Sequence, residues 1–221
     1  RYAGSITGFA PMPGNRAELM PDGATARARM IADMEAARHE IHVLSYIWLD
    51  DDTGTAVAEA LIRAARRGVT CRAMVDGLGS RLLLRTPLWR AMGEAGVHTA
   101  VALSIDHPLH VLLTSRIDLR NHRKITVIDG RITYCGSQNL ADEAFRIKAR
   151  YAPWVDIMLR MEGPVVTQNQ LLFASDWMPA TGLGSGRFVR PPEPLPQGFA
   201  AQVVADGPTE RSRATPQLVV T

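Results

Sequence analysis

The sequence predicts an α/β layered fold, and three observations carry that expectation. Between Ala24 and Leu103, helix-spaced apolar segments alternate with strand-like ones. Ile41 to Trp48 (IHVLSYIW) is apolar along almost its whole length, as expected of a strand covered on both faces. The connections are short and carry turn or stop residues such as Gly68.

In chain order, the first twenty residues, with Gly4, Gly8, Pro11, Pro13 and Gly14, read as irregular, residues 1–14 forming a lead-in and the domain starting at residue 15. Asp22-Gly23 is a turn. From Ala24 to about His39, Met30, Ile31, Met34 and Ala37 recur at helical spacing. After the strand Ile41 to Trp48, Asp51, Asp52 and Thr53 offer caps for a helix to about Arg67, which Gly68 ends. Thr70 to Asp76 (TCRAMVD) reads as a second strand, Pro87 to Gly96 as a helix and Val97 to Leu103 as a third strand. Ser104 to Leu119 breaks this rhythm as a loop that shapes a pocket, with Asp106, His107 and His110 read as polar surface rather than as a metal site. Lys124 to Asp129 (KITVID) is a strand, Asp129-Gly130 a hairpin turn and Arg131 to Cys135 the returning strand. Tyr151 to Glu162 contains a further strand. Gly163-Pro164 opens a helix to about Trp177. Residues 181–198 are rich in Gly and Pro and read as a linker, with an apolar strand starting near Phe199.

Composition narrows the class. Hydrophobic content of 46% with 21% charged residues is that of a globular protein, and no stretch approaches the roughly 18 apolar residues of a membrane span. A net charge of +3 favours anionic partners without choosing between lipid headgroups and nucleic acid. Cys71 and Cys135 each lie in an apolar run with no metal-ligand spacing, so free buried thiols are expected.

The chemistry concentrates in Arg120 to Asn139, RNHRKITVIDGRITYCGSQN. His122, Lys124, Asp129 and Gly136-Ser137-Gln138-Asn139 make the pattern H-x-K-x4-D-x6-G-S-x-N. On a strand His122 and Lys124 share a face, where an imidazole nitrogen can attack phosphorus while a fixed ammonium holds the non-bridging oxygens. Asp129 has the opposite parity, so a regular strand assigns it to the strand end or the turn. Ser137 and Asn139 supply a hydroxyl and an amide that can donate to the same phosphate. A histidine nucleophile also needs an acceptor that fixes its tautomer, and the candidate is Asp156, an acid between apolar residues in PWVDIMLRMEGP.

This pattern is the signature of the phospholipase D superfamily, and every fixed position is matched. Within that superfamily the chain resembles the first half of bacterial cardiolipin synthases of the phospholipase D type, through Arg120 to Lys124, Asp129 to Asp142, Pro153 to Pro164, Asp176-Trp177 and Val203 to Pro208. The resemblance implies a mixed β-sheet flanked by helices on both faces, a phospholipase D-like α-β-α sandwich. It implies a phosphatidyltransferase needing no metal or other cofactor, with a phosphohistidine intermediate formed from one phospholipid and passed to an alcohol such as phosphatidylglycerol. The catalytic set would be His122, Lys124, Asp129 and Asp156, with Lys124, Ser137 and Asn139 on the phosphate. The setting it implies is the surface of the bacterial cell membrane, reached through segments outside this chain.

Asp22 to Arg29 and Asp206 to Arg213 agree at Asp, Gly, Thr and both Arg positions. Read as a repeat, this places the domain at residues 15–180, the linker at 181–198 and the start of a second copy at 199–221, with its catalytic histidine near position 306 by roughly the same spacing. One histidine cannot begin both neutral, to attack, and protonated, to supply the leaving alcohol, so a partner half is expected in the same chain or by homodimerisation. The chain on its own is expected to be inactive without one. Two other readings stand beside the transferase: a single-motif phosphodiesterase or nuclease active as a homodimer, and a non-catalytic binding half. Nucleic acid is disfavoured as a partner because no basic and aromatic stripe is present.

Overall fold

The computed structural model describes residues 8–103, 120–144, 155–183 and 191–205. The expectations placed on Asp106, His107 and His110, and on the repeat from Asp206, lie outside the described residues. Eight strands form one sheet: β1 Met12–Leu19, β2 Glu40–Ser45, β3 Thr70–Asp76, β4 His98–Ala102, β5 Ile125–Ile128, β6 Ile132–Gly136, β7 Met158–Glu162 and β8 Phe199–Ala201. Their order is β4-β3-β2-β5-β6-β7-β1-β8. The pairs β4–β3 and β3–β2 are parallel, and every pairing from β2–β5 onward is antiparallel. The sheet is therefore mixed, with β2 as the seam between its two halves.

Helices α1 Gly23–Ala36, α2 Asp52–Arg66 and α3 Pro87–Glu94 cover one face and α4 Val166–Thr181 the other. Strand alternation divides the apolar residues between two cores. Ile41, Val43, Cys71, Ala73 and Val75 meet Met30, Met34, Val57, Leu61 and Met92 on one side. On the other, Leu44, Met74, Ile125 and Val127 meet Leu172, Phe173 and Trp177. The nearly continuous apolar run that begins in β2 has this origin, since both of its faces are covered. Asp22 and Asp51 cap α1 and α2 by accepting from the N–H groups of Thr25 and Gly54. Cys71 and Cys135 are free thiols, and burial pushes Cys71 up to about 12. No helix among the described residues is long and apolar enough to cross a membrane.

One segment differs from expectation, and the strand expected near Phe199 takes its place beside it. Residues 12–19, within the stretch read as irregular, form β1, paired with β7 and β8. Its sequence, MPGNRAEL, has no apolar alternation because most of its side chains are exposed and its hold on the sheet is through the backbone. Residues 199–201 form the strand next to β1 in this same sheet. The side chain of Asn15 donates to the Phe199 carbonyl, and the Val203 N–H donates to Gln168 on α4. The residues just before it pack on β1 as well, with the Leu195 N–H donating to the Gly14 carbonyl at 2.8 Å.

Asp129 ends β5 with positive φ, as does Gly130 (51° and 60°), the backbone that a tight hairpin turn requires. Its carboxylate accepts three backbone N–H groups, from Arg38, His39 and Glu40, at 2.9, 2.8 and 2.9 Å. Asp129 thereby clamps the link between α1 and β2 to the hairpin, at the opposite end of β5 from His122. Replacing Asp129 with Ala strands those donors and is expected to lower unfolding free energy by about 2 kcal/mol. Urea titration checks this, and an unchanged midpoint contradicts the clamp.

Candidate active site

The carboxyl ends of β2 and β3 and the start of β5 lie at one edge of the sheet, the place where open α/β sheets bind ligands. The register Leu44↔Ile125 between β2 and β5 carries Tyr46 to the residues that precede β5. The ring of Tyr46 stacks on the His122 imidazole, with centroids 3.9 Å apart and planes 17° from parallel. The Lys124 ammonium lies 5.4 Å from the centroid of the same ring and donates to the His122 carbonyl at 2.6 Å. His122 and Lys124 thus share one aromatic platform. They stand just before the strand rather than within it, since β5 begins at Ile125.

Glycine makes two close approaches possible here. A Cβ on Gly79 would strike the Tyr46 carbonyl, and one on Gly136 would strike the carbonyl of Ile157. The second contact brings the end of β6 against the residues before β7. There the Ser137 hydroxyl donates to Asp156 at 2.6 Å and accepts from the Ile157 N–H at 2.9 Å. Asn139 accepts the Ile47 N–H through its carbonyl oxygen at 3.2 Å, so its NH2 is the end left to donate. A cleft of about 400 Å³ is lined by Tyr46, His122, Lys124, Ser137, Asn139 and Asp156, among others. His122 and Lys124 also line a larger hollow of about 670 Å³ on the α4 side.

Of the sequence-derived candidates, His122, Lys124, Ser137, Asn139 and Asp156 come together around the cleft, whereas Asp129 does not. Asp156 departs from its expected part as well. Its hydrogen bond goes to Ser137, and it acts through its charge on Lys124 rather than through a bond to His122. The Ser137 proton points to Asp156 in this structure. The carboxylate that acts on His122 is Asp76 at the end of β3, fully buried and accepting from the N–H groups of Leu78 and Gly79 at 2.9 and 3.0 Å. Sequence reading missed both Asp76 and Tyr46. The available signal was an acid closing an apolar strand, TCRAMVD, and a Tyr at the end of β2 on the same sheet edge.

Electrostatics favour a neutral imidazole. Burial holds His122 below the usual histidine range, the Lys124 charge pushes the same way, and Asp76 opposes both. Burial also lowers Lys124, against the pull of Asp156. A positive neighbour disfavours imidazolium and a negative one favours it. Replacing Lys124 with Met is therefore expected to raise the His122 titration midpoint, and replacing Asp76 with Asn to lower it. NMR titration of the imidazole signals checks both signs.

The family model described as cardiolipin synthase, PLD-like domain, matches residues 30–177. The chain is 40% identical over 210 residues to cardiolipin synthase A of Erwinia tasmaniensis and 39% identical to that of Edwardsiella ictaluri. Each alignment covers 91% of this chain and 42% of the relative, so the chain spans less than half the length of these proteins. Among solved structures, a phospholipase D family member, Nuc from Salmonella typhimurium, matches with a TM-score of 0.51 at 16% identity, over 75% of this chain and 95% of that one. NucT from Helicobacter pylori matches with a TM-score of 0.54 at 15% identity, over 77% and 98%. These two likenesses concern the fold, a mixed sheet between helices. With a sequence match over most of its length and that fold, the chain belongs to the phospholipase D-like domain family of the cardiolipin synthase type.

Proposed function

We propose that this chain is one catalytic half of a phosphatidyltransferase that joins phospholipids at a membrane surface, with His122 as the nucleophile or its partner acid. The observation that carries the proposal is the shared placement of His122 and Lys124 on Tyr46 at the mouth of a cleft. The identity to cardiolipin synthase A supports the choice of lipid as substrate.

In the first step a neutral His122 nitrogen attacks the phosphorus of phosphatidylglycerol. The P–N bond forms, the P–O bond to the headgroup glycerol breaks, and glycerol leaves with a proton from a second histidine. Lys124 and the Asn139 NH2 hold the non-bridging oxygens as charge builds on them. In the second step a hydroxyl of another phosphatidylglycerol attacks the phosphohistidine and gives its proton to that second histidine, now the base. The P–N bond breaks and cardiolipin forms. The second histidine belongs to a partner half, supplied in the same polypeptide or by a second copy. That such a half exists fits the 42% share of the relatives' length.

The test is turnover of phosphatidylglycerol vesicles by the complete gene product. Cardiolipin and glycerol are expected in equal amounts, and His122→Asn is expected to reduce the rate at least about 1,000-fold. Salt-sensitive cleavage of DNA with no cardiolipin formed would overturn the lipid reading in favour of a nuclease. Unchanged lipid transfer by the Asn variant would remove His122 from the chemistry.

A further inference from the structure

Residues 120–124 carry the reacting groups but belong to no strand. The ladder that fixes β5 starts at Ile125, so side chains must hold the segment in place. On the β3 side, the Asn121 N–H reaches Asp76 at 3.4 Å, and Arg120 donates to the Leu103 carbonyl at 2.9 Å. Toward α4 the contact is of another kind. Arg123, between the two catalytic residues, sends Nη1 to both carboxylate oxygens of Asp176, at 2.7 and 2.6 Å. Both side chains are shielded from solvent, Arg123 at 8% exposure and Asp176 at 1%. Asp176 itself is fixed, since α4 is packed through Phe173 and Trp177 into the core under the sheet.

His122 and Lys124 meet Tyr46, while Arg123, between them, reaches Asp176 on α4. Pulling on Arg123 therefore sets how far the other two reach toward the cleft. A charge-assisted bond in a dry site is short and directional, which suits it to this task.

We propose that Asp176 is a positioning residue: through Arg123 it holds the His122-Arg123-Lys124 segment so that the imidazole stays stacked on Tyr46 and in line with the phosphate. The consequence for rate rests on the reading of His122 as the nucleophile, whereas the consequence for the stack does not. A misplacement on the order of 1 Å at a reacting group costs about 100-fold in rate. Substrate affinity depends on the whole cleft, so the loss falls on kcat rather than on KM.

Two variants test this. Asp176→Asn removes the charge, and Asp176→Glu keeps it but lengthens the arm by one methylene, which moves the segment while leaving the pair formed. In the 221-residue chain, each folded variant is expected to lose the upfield ring-current shift that Tyr46 imposes on the His122 imidazole protons. In the complete gene product acting on phosphatidylglycerol vesicles, kcat is expected to fall about 10- to 100-fold with KM changed less than about two-fold. If the Asn variant does not fold, the Glu variant decides. Folded variants with parental His122 signals and parental kcat overturn the proposal. Failure of both to fold overturns it too, because the pair would then hold the domain and not the segment. Absence of lipid turnover in the parent protein counts against the substrate reading alone, since the NMR result needs no substrate.

Discussion

The antiparallel pairing of β2 with β5 is the contact on which the rest of the site depends. Four residue pairs, from Ile41↔Ile128 to Leu44↔Ile125, set the register. At one end of that ladder Asp129 ties down the entry to β2. At the other, Tyr46 arrives beside His122. A slip of one residue would turn every side chain of β5 to the other face, and would part the tyrosine from the histidine. The seam also joins two kinds of sheet. Its parallel side contributes Asp76 from the end of a buried strand, and its antiparallel side contributes the hairpin that bears Ser137 and Asn139.

Burial disfavours the charged form of both His122 and Lys124, and their charged neighbours separate them. His122 is partly desolvated next to a cation, so it favours the neutral form that can attack phosphorus. Lys124 loses some affinity for its proton through burial, and Asp156 restores part of it. The Ser137 hydroxyl donates to Asp156 and so holds that carboxylate just before the start of β7. In the proposed reaction the donors offered to phosphate are the ammonium of Lys124 and the amide of Asn139.

Most of the layered architecture was legible in the sequence, because α1, α2 and α3 carry apolar residues at helical spacing and β2 and β3 are buried runs of strand length. β1 was not, since it holds its place by backbone pairing while most of its side chains face solvent. The same division applies within the site. His122, Lys124 and Asn139 were legible because a short hairpin fixes their spacing in the chain. Asp129 falls outside the site by its position at the far end of β5, as its parity on the strand indicates. Tyr46 and Asp76 reach His122 through long-range packing, which leaves no local period to read. Asp156 was recognised as an acid that needs a partner. Its partner, Ser137, follows from the close approach of β6 to β7 at Gly136.

The central claim is that one histidine of a pair that includes His122 becomes covalently attached to phosphorus, and trapping that species tests it most directly. The complete gene product would be mixed briefly with a short-chain phosphatidylglycerol, quenched in alkali, where a phosphoramidate survives, and mapped by peptide mass spectrometry. The account predicts a phosphatidyl mass on the peptide containing His122, or on the paired histidine of the other half with its turnover dependent on His122. A phosphatidyl adduct on a residue other than these two histidines, or lipid transfer with no covalent species at any quench time, would contradict it.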